Sequence, residues 1–248
     1  MKKLLLASAA SALVASAALA GSHSKEVKIG VLLGFTGPLE SITPHMAGGA
    51  ELAMAEVNAA GGILDGTMVT AVRGDSTCVD AAAATAAAER LITSEGVAAL
   101  MGGDCSGVTG AVLQNVARPN GIVMVSPSAT SPALSTAEDD GLFFRTAPSD
   151  ARQGVVMAEI LGERGIKSVA VTYTNNDYGK GLADSFQAAF EATGGKVTLS
   201  AAHEDGKGDY SAEVASLSAS GANELVVIGY LDQGGRGIIQ SSIDSGAF

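Results

Sequence analysis

The chain has no tryptophan, and all aromatic residues together make up 4% of it. It carries two cysteines, three histidines, and 15 Lys and Arg against 26 Asp and Glu, for a formal charge of −11. Each shortage excludes something. Two cysteines without a close histidine pair argue against a structural zinc site, and no other metal or cofactor is expected. The acidic balance argues against nucleic acid and against anionic membrane surfaces as partners. Beyond residue 20 no apolar run is long enough to cross a bilayer.

What is present begins with an export signal. Lys2 and Lys3 precede the apolar, Ala-rich run Leu4–Leu19, and Ala18-Leu19-Ala20 has small residues at the positions a signal peptidase reads. Residues 1–20 are therefore expected to be a secretory signal cleaved after Ala20, and the protein to be periplasmic. No cysteine follows the cleavage site, so a lipid anchor is not expected. Removing twenty residues from 248 leaves 228, and losing Lys2 and Lys3 takes the charge from −11 to −13. That length suits one large domain or two small α/β lobes. In an oxidising compartment the pair Cys78 and Cys105 is most simply a disulfide, with two buried free thiols as the alternative.

The rest of the chain alternates between strand-like and helix-like runs. Val27–Phe35, Met68–Val72, Val97–Met101 and Ile122–Val125 read as strands. Between them, Met46, Ala50, Ala53 and Val57 share a helix face, Ala81–Ile92 is Ala-rich, and Val108, Val112 and Val116 repeat at helical spacing. Continuous apolar strands separated by helices imply parallel sheets covered on both faces. The stretch 126–149 breaks the rhythm with Pro127, Pro132 and Pro148 and the acidic run Glu138–Asp140. The alternation then resumes through strands at Ser168–Tyr173, Lys196–Ala201 and Glu224–Tyr230, with a last helix from about Gln233. The expected fold is α/β with two Rossmann-like lobes. The signal peptide occupies 1–20, the first lobe 21–128, a crossing or hinge 129–148, and the second lobe 149–248.

Two loops stand out chemically: Gly-Gly-Asp-Cys-Ser-Gly at 102–107 and Ser-Pro-Ser-Ala-Thr-Ser-Pro at 126–132. Each follows a strand-like run, so both belong at the strand carboxyl ends, where open α/β sheets bind ligands. Small hydroxyl residues and free backbone N–H groups there suit a small carboxylate or amino acid. Asp104 reads as the N-cap of the helix opening at Ser106.

These segments, in order, resemble type I periplasmic substrate-binding proteins of branched-chain amino acid (Leu/Ile/Val-type) ABC transporters. Val27-Lys28-Ile29-Gly30 with Thr36-Gly37-Pro38 is similar to that family's opening strand and loop. Asp75-Ser76-Thr77-Cys78 and Asp104-Cys105-Ser106 resemble its disulfide loops, and Ser126-Pro127-Ser128-Ala129-Thr130 its central ligand loop. Asp177-Tyr178-Gly179-Lys180-Gly181 resembles the signature that follows the crossing. The resemblance implies a Venus-flytrap receptor that delivers its ligand to ABC permease subunits and is a monomer when full length. It implies that Ser106 holds the ligand carboxylate and that Ala129 and Thr130, on the loop with Ser128, meet the ammonium. Tyr178 and Tyr230 would line the side-chain pocket.

Two departures qualify the match. Ile42 stands where leucine-binding members often place an aromatic residue, so the ligand side chain need not be leucine-like. The chain also stops where the family continues into a further strand with an acidic ammonium partner. Both lobes are therefore expected to be incomplete and the sequence C-terminally truncated. An extracytoplasmic sensor domain is the alternative function, since it uses the same lobe closure. A hydrolase with Ser106 as nucleophile and His45 or His203 as base is not expected, because Asp-Cys-Ser-Gly-Val is no nucleophile elbow.

Overall fold

Strand alternation builds the first core. In the computed structural model, which describes residues 25–248, β1 (Glu26–Leu33) turns Val31 and Leu33 to one sheet face and Leu32 to the other, all fully buried. The predicted signal segment and its cleavage site lie outside the described residues. β1 sits inside a five-stranded parallel sheet with β2 (Met68–Asp75), β3 (Ala99–Gly102), β4 (Val123–Ser126) and β5 (Phe143–Arg145), in the order β2-β1-β3-β4-β5. Parallel neighbours need crossovers. α1 (Thr43–Ala59) covers the Val31 and Leu33 face through Ala47 and Met54. α2 (Ala81–Glu89) and α3 (Ser106–Val112) cover the Leu32 face. Asp80 caps α2 by accepting from the Ala82 and Ala83 N–H groups at 2.9 and 3.0 Å. α3 runs on through a wider turn at 113–117 into the short α4 (Arg118–Asn120), which Gly121 ends in the left-handed region.

The second core repeats this logic. α5 (Asp150–Glu163) leads into β6 (Ser168–Thr174), the centre of a three-stranded parallel sheet ordered β7-β6-β8. Its neighbours are β7 (Lys196–His203) and β8 (Leu225–Ile228). Val169 and Val171 pack against Phe186 and Phe190 of α6 (Asp177–Ala192), whose rings stack at 5.5 Å one helical turn apart. Ala170 faces the other way, onto Leu217 of α7 (Ser211–Ala219). α8 (Arg236–Ser245) adds Ile238 beside Tyr210 and Val214. Truncating Phe186, which is fully buried, should cost about 3–5 kcal/mol.

The α/β class with parallel sheets flanked by helices is as the sequence implies. Two details differ. The sequence of the expected crossing holds one strand-like piece, Leu142–Arg145; in the structure β5 forms there, pairs with β4 and so extends the first sheet. What joins the sheets is the short link 146–149. The expected last helix near Gln233 is an irregular turn over Leu231–Gly235, and α8 starts only at Arg236.

Candidate ligand-binding cleft

Parallel strands bring their carboxyl-end loops to one edge of each sheet. The two edges face each other across a cavity of about 300 Å³. Its first-lobe wall includes Cys78, Val79, Cys105, Ser106 and Val108, and its second-lobe wall includes Asn175, Tyr178, Glu204, Asp205, Tyr230 and Gln233.

On the first lobe, Cys78 and Cys105 form a disulfide 27 residues apart in sequence, tying the turn after β2 to the start of α3. In the chain-entropy view such a loop contributes roughly 3–4 kcal/mol. Cys78, Asp104 and Cys105 are also the one metal-like grouping among the described residues, but the two sulfurs are bonded to each other. Ser106, the first residue of α3, accepts a hydrogen bond from the Ser131 N–H at 3.1 Å, which leaves its own hydroxyl proton available. Neither His45 nor His203 is hydrogen-bonded to it. His45 is exposed on α1, and His203 is buried between Thr172 and Thr174.

Asp104 does not cap α3, contrary to the sequence reading. The cap position is Cys105, with no side-chain bond. The Asp104 carboxylate turns back to accept from the Gly34 N–H and the Ser76 hydroxyl, both at 3.1 Å. Burial pushes its carboxyl above the usual range, against those hydrogen bonds.

The 126–131 loop lies behind the cavity rather than in its wall. Ser128 donates its hydroxyl to the Asp104 carbonyl at 2.9 Å. Ala129 is fully buried, and its carbonyl accepts from Arg145 at 3.2 Å. A carbonyl facing a guanidinium is a poor partner for an ammonium. The Thr130 carbonyl accepts from the Asp150 N–H at 2.9 Å, so Thr130 and Asp150 are neighbours.

Asp150 is what sequence reasoning missed. It is 1% exposed, and its Oδ2 has no hydrogen-bond partner among the described residues. Burial raises its carboxyl, with the Thr130 hydroxyl and the Arg145 charge pulling the other way. Its charge in turn raises the phenols of both Tyr178 and Tyr230. One signal was available: Ser149 and Asp150 are adjacent capping-type residues where a helix needs only one. Ser149 takes the cap by accepting from the Ala151 N–H, which frees Asp150 to face inward.

The tyrosines come from the second lobe. Tyr178 sits in the first turn of α6, which Asn176 caps by accepting from the Gly179 N–H at 2.8 Å. Tyr230 follows β8 and reaches across to pack on the first-lobe core. The two rings lie 4.9 Å apart. Burial is the main reason both phenols stay protonated, so each remains a neutral donor. Gly229 sets the approach of Tyr230: its φ is +128°, and a Cβ there would lie 2.0 Å from Thr174 Oγ1.

Of the residues implied by the sequence, the structure therefore places Ser106, Tyr178 and Tyr230 in one cavity. Thr130 stands behind it with Asp150, and Ser128 and Ala129 are occupied with structural hydrogen bonds.

A family model described as periplasmic binding protein matches residues 26–240. The chain belongs to that family. Among periplasmic binding proteins it is 34% identical to Leu/Ile/Val-binding protein homolog 3 of Brucella melitensis, over 90% of this chain and 60% of that protein. It is also 34% identical to an amino acid binding protein of Pseudomonas aeruginosa, over 83% and 54% of the two chains. Among solved structures, the branched-chain amino acid transporter substrate-binding protein of Streptococcus pneumoniae, in complex with isoleucine, aligns with a TM-score of 0.71 at 30% identity. That alignment covers 82% of this chain and 57% of the other. An R. palustris solute-binding protein in complex with 4-hydroxybenzoate shares the fold, with a TM-score of 0.78 at 22% identity. The chain spans about 60% of the length of the first of these curated relatives.

Proposed function

We propose that the chain is the ligand-capturing portion of an extracytoplasmic solute-binding protein that takes up an α-amino acid and presents it to an ABC permease. The observation that carries the reading is Asp150. A buried carboxylate with an unpartnered oxygen is costly, and a ligand ammonium relieves that cost. Ser106, in the cavity wall, offers a free hydroxyl to the ligand carboxylate. An aromatic acid such as 4-hydroxybenzoate fits Ser106 but brings no cation to Asp150, so the site favours a zwitterion. Tyr178 and Tyr230 then cover the ligand from the second lobe. Contacts to both lobes favour the closed form, with the link 146–149 as hinge.

Export through a signal cleaved after Ala20 is consistent with this role. The relatives named above are substrate-binding proteins, which favours delivery to a permease over a membrane sensor.

The test is calorimetry on the chain with a panel of amino acids and with 4-hydroxybenzoate. Ser106→Ala and Thr130→Ala should each weaken amino-acid binding by roughly ten- to a hundredfold, the value of a hydrogen bond to a charged group. Unchanged affinity in both variants would remove the site, and preference for the benzoate would replace the ligand class.

A further inference from the structure

One side chain of the irregular turn at 231–235 lines the cavity with part of its hydrogen-bonding capacity unspent. Leu231 and Asp232 are exposed, and Asp232 pairs with Arg236. Gln233 goes the other way: it is 5% exposed and lines the cavity with Tyr230. The backbone fixes this turn. Gln233 is at φ −116° and ψ 60°, outside the helical region, and Gly234 follows at φ +87°. A Cβ on Gly234 would lie 2.8 Å from both His203 Cδ2 and Tyr210 Oη, so only glycine fits there.

All but one of the polar groups of Gln233 are held by the protein. Its N–H donates to the Tyr230 carbonyl at 3.1 Å, and its carbonyl accepts from the Thr174 hydroxyl at 3.4 Å. Its Oε1 accepts from Asn176 Nδ2 at 3.1 Å. Both amide orientations follow from one bond: Asn176 Oδ1 is already taken by the Gly179 N–H, so Nδ2 is the atom that faces Gln233. That leaves Gln233 Nε2, which has no hydrogen-bond partner among the described residues. A nearly buried donor loses its hydration without return unless it finds an acceptor. In the open cleft solvent serves it. A ligand that displaces the solvent must supply the acceptor itself.

We propose that Gln233 is a specificity-determining residue, whose Nε2 donates to an oxygen of the bound amino acid when the lobes close. This rests on the cleft being an amino-acid site. Two oxygens meet the requirement, one on the ligand carboxylate and one on an oxygen-bearing side chain; a hydrocarbon side chain offers only the first. A purely structural role would need only Oε1, which ties the turn to the cap of α6, and a glutamate would fill that role equally well.

The experiment is calorimetric titration of the chain at pH 8 with L-glutamine, L-methionine and L-leucine, for the parent, Gln233→Met and Gln233→Glu. Methionine is close to glutamine in length but carries no side-chain oxygen. Gln233→Met keeps the size of the residue and loses both polar atoms. Gln233→Glu keeps an oxygen for Asn176 and, ionised, has no donor. Both variants should weaken binding by about tenfold, the value of one hydrogen bond whose buried partner is left unmade. A loss confined to glutamine identifies a side-chain oxygen as the acceptor; an equal loss for all three identifies the carboxylate. Melting temperatures of the ligand-free variants are read alongside. If Gln233→Met melts lower than the parent, Gln233→Glu, which keeps the Asn176 contact, carries the test. Affinities unchanged in both variants overturn the inference and leave the amino-acid site standing. So does parent-like affinity in Gln233→Glu alone, which would make the residue a strut for α6. Binding of none of the three by the parent removes the site and the inference with it.

Discussion

A carboxylate with an unpartnered oxygen inside a protein holds its proton more tightly, and Asp150 is such a group. Its folded-state pKa is raised, so its contribution to stability is fully present below about pH 4, the unfolded value, and is lost as pH rises through the folded value. Asp150→Asn should therefore raise the melting temperature of the ligand-free chain at pH 7 by a few degrees. The gain should vanish near pH 4, and thermal scans across that range check it. The same variant should lose amino-acid affinity, and in the parent chain affinity should rise with pH as Asp150 ionises. A variant less stable than the parent at pH 7 would mean that the carboxylate is already satisfied without ligand. At this scale the sequence was legible where a residue's role is set by its neighbours in the chain. Ser106 opens a helix after a strand, and that pattern is local. Asp104 was misread as a helix cap because its partners, Gly34 and Ser76, lie beyond neighbouring strands of the sheet.

Between elements, Thr174 at the end of β6 holds the cleft loops in place. Its hydroxyl oxygen accepts from the Tyr230 N–H at 3.2 Å and lies 3.3 Å from His203 Nε2 on β7. His203 Nδ1 meets Thr172 Oγ1 at 2.8 Å, and the ring stands edge-on to Tyr210. This chain anchors the irregular turn at 231–235, which carries Gln233. His203 is 1% exposed, and burial depresses its pKa despite the charges of Glu213, Glu204 and Asp205. A depressed histidine contributes stability that is present above about pH 6.5, the unfolded value, and is lost as pH falls through the folded value. His203→Gln should flatten the decline in melting temperature between pH 7 and pH 5 relative to the parent. Parallel declines in the two proteins would show that His203 is not the titrating group. The longer strands and helices were legible as apolar runs and helical spacing. β5 was legible as the strand-like piece Leu142–Arg145 but its pairing with β4 was not, because sheet order is not written in a local run, and Gly234 at φ +87° breaks the expected last helix in a way no local pattern announces.

Across the whole molecule, the two lobes touch where α6 meets the 131–132 turn. A Cβ on Gly181 would lie 3.0 Å from Pro132 Cδ and 3.1 Å from Ser131 Oγ. If the lobes close on ligand, a bulkier residue there opposes closure and not folding. Gly181→Val should weaken amino-acid binding by roughly five- to a hundredfold, the range of an overpacking cost, with little change in the melting temperature of the ligand-free chain. Small-angle scattering should show the variant failing to compact on ligand. A melting temperature that falls as far as the affinity would instead mean that the contact belongs to a rigid core.

The order of elements, the parallel character of both sheets and the position of the ligand loops at their carboxyl ends follow from the sequence by itself. Hydrophobic period and crossover length leave few other arrangements for such a chain. Which side chains face one another across the cleft was decided only in three dimensions. Asp150, Gln233 and Glu204 are far apart in sequence and belong to no shared motif. Asp150 is buried with an unpartnered oxygen, and Gln233 and Glu204 are held by the amides of Asn176 and Asn175; each of these depends on how the chain is packed in three dimensions.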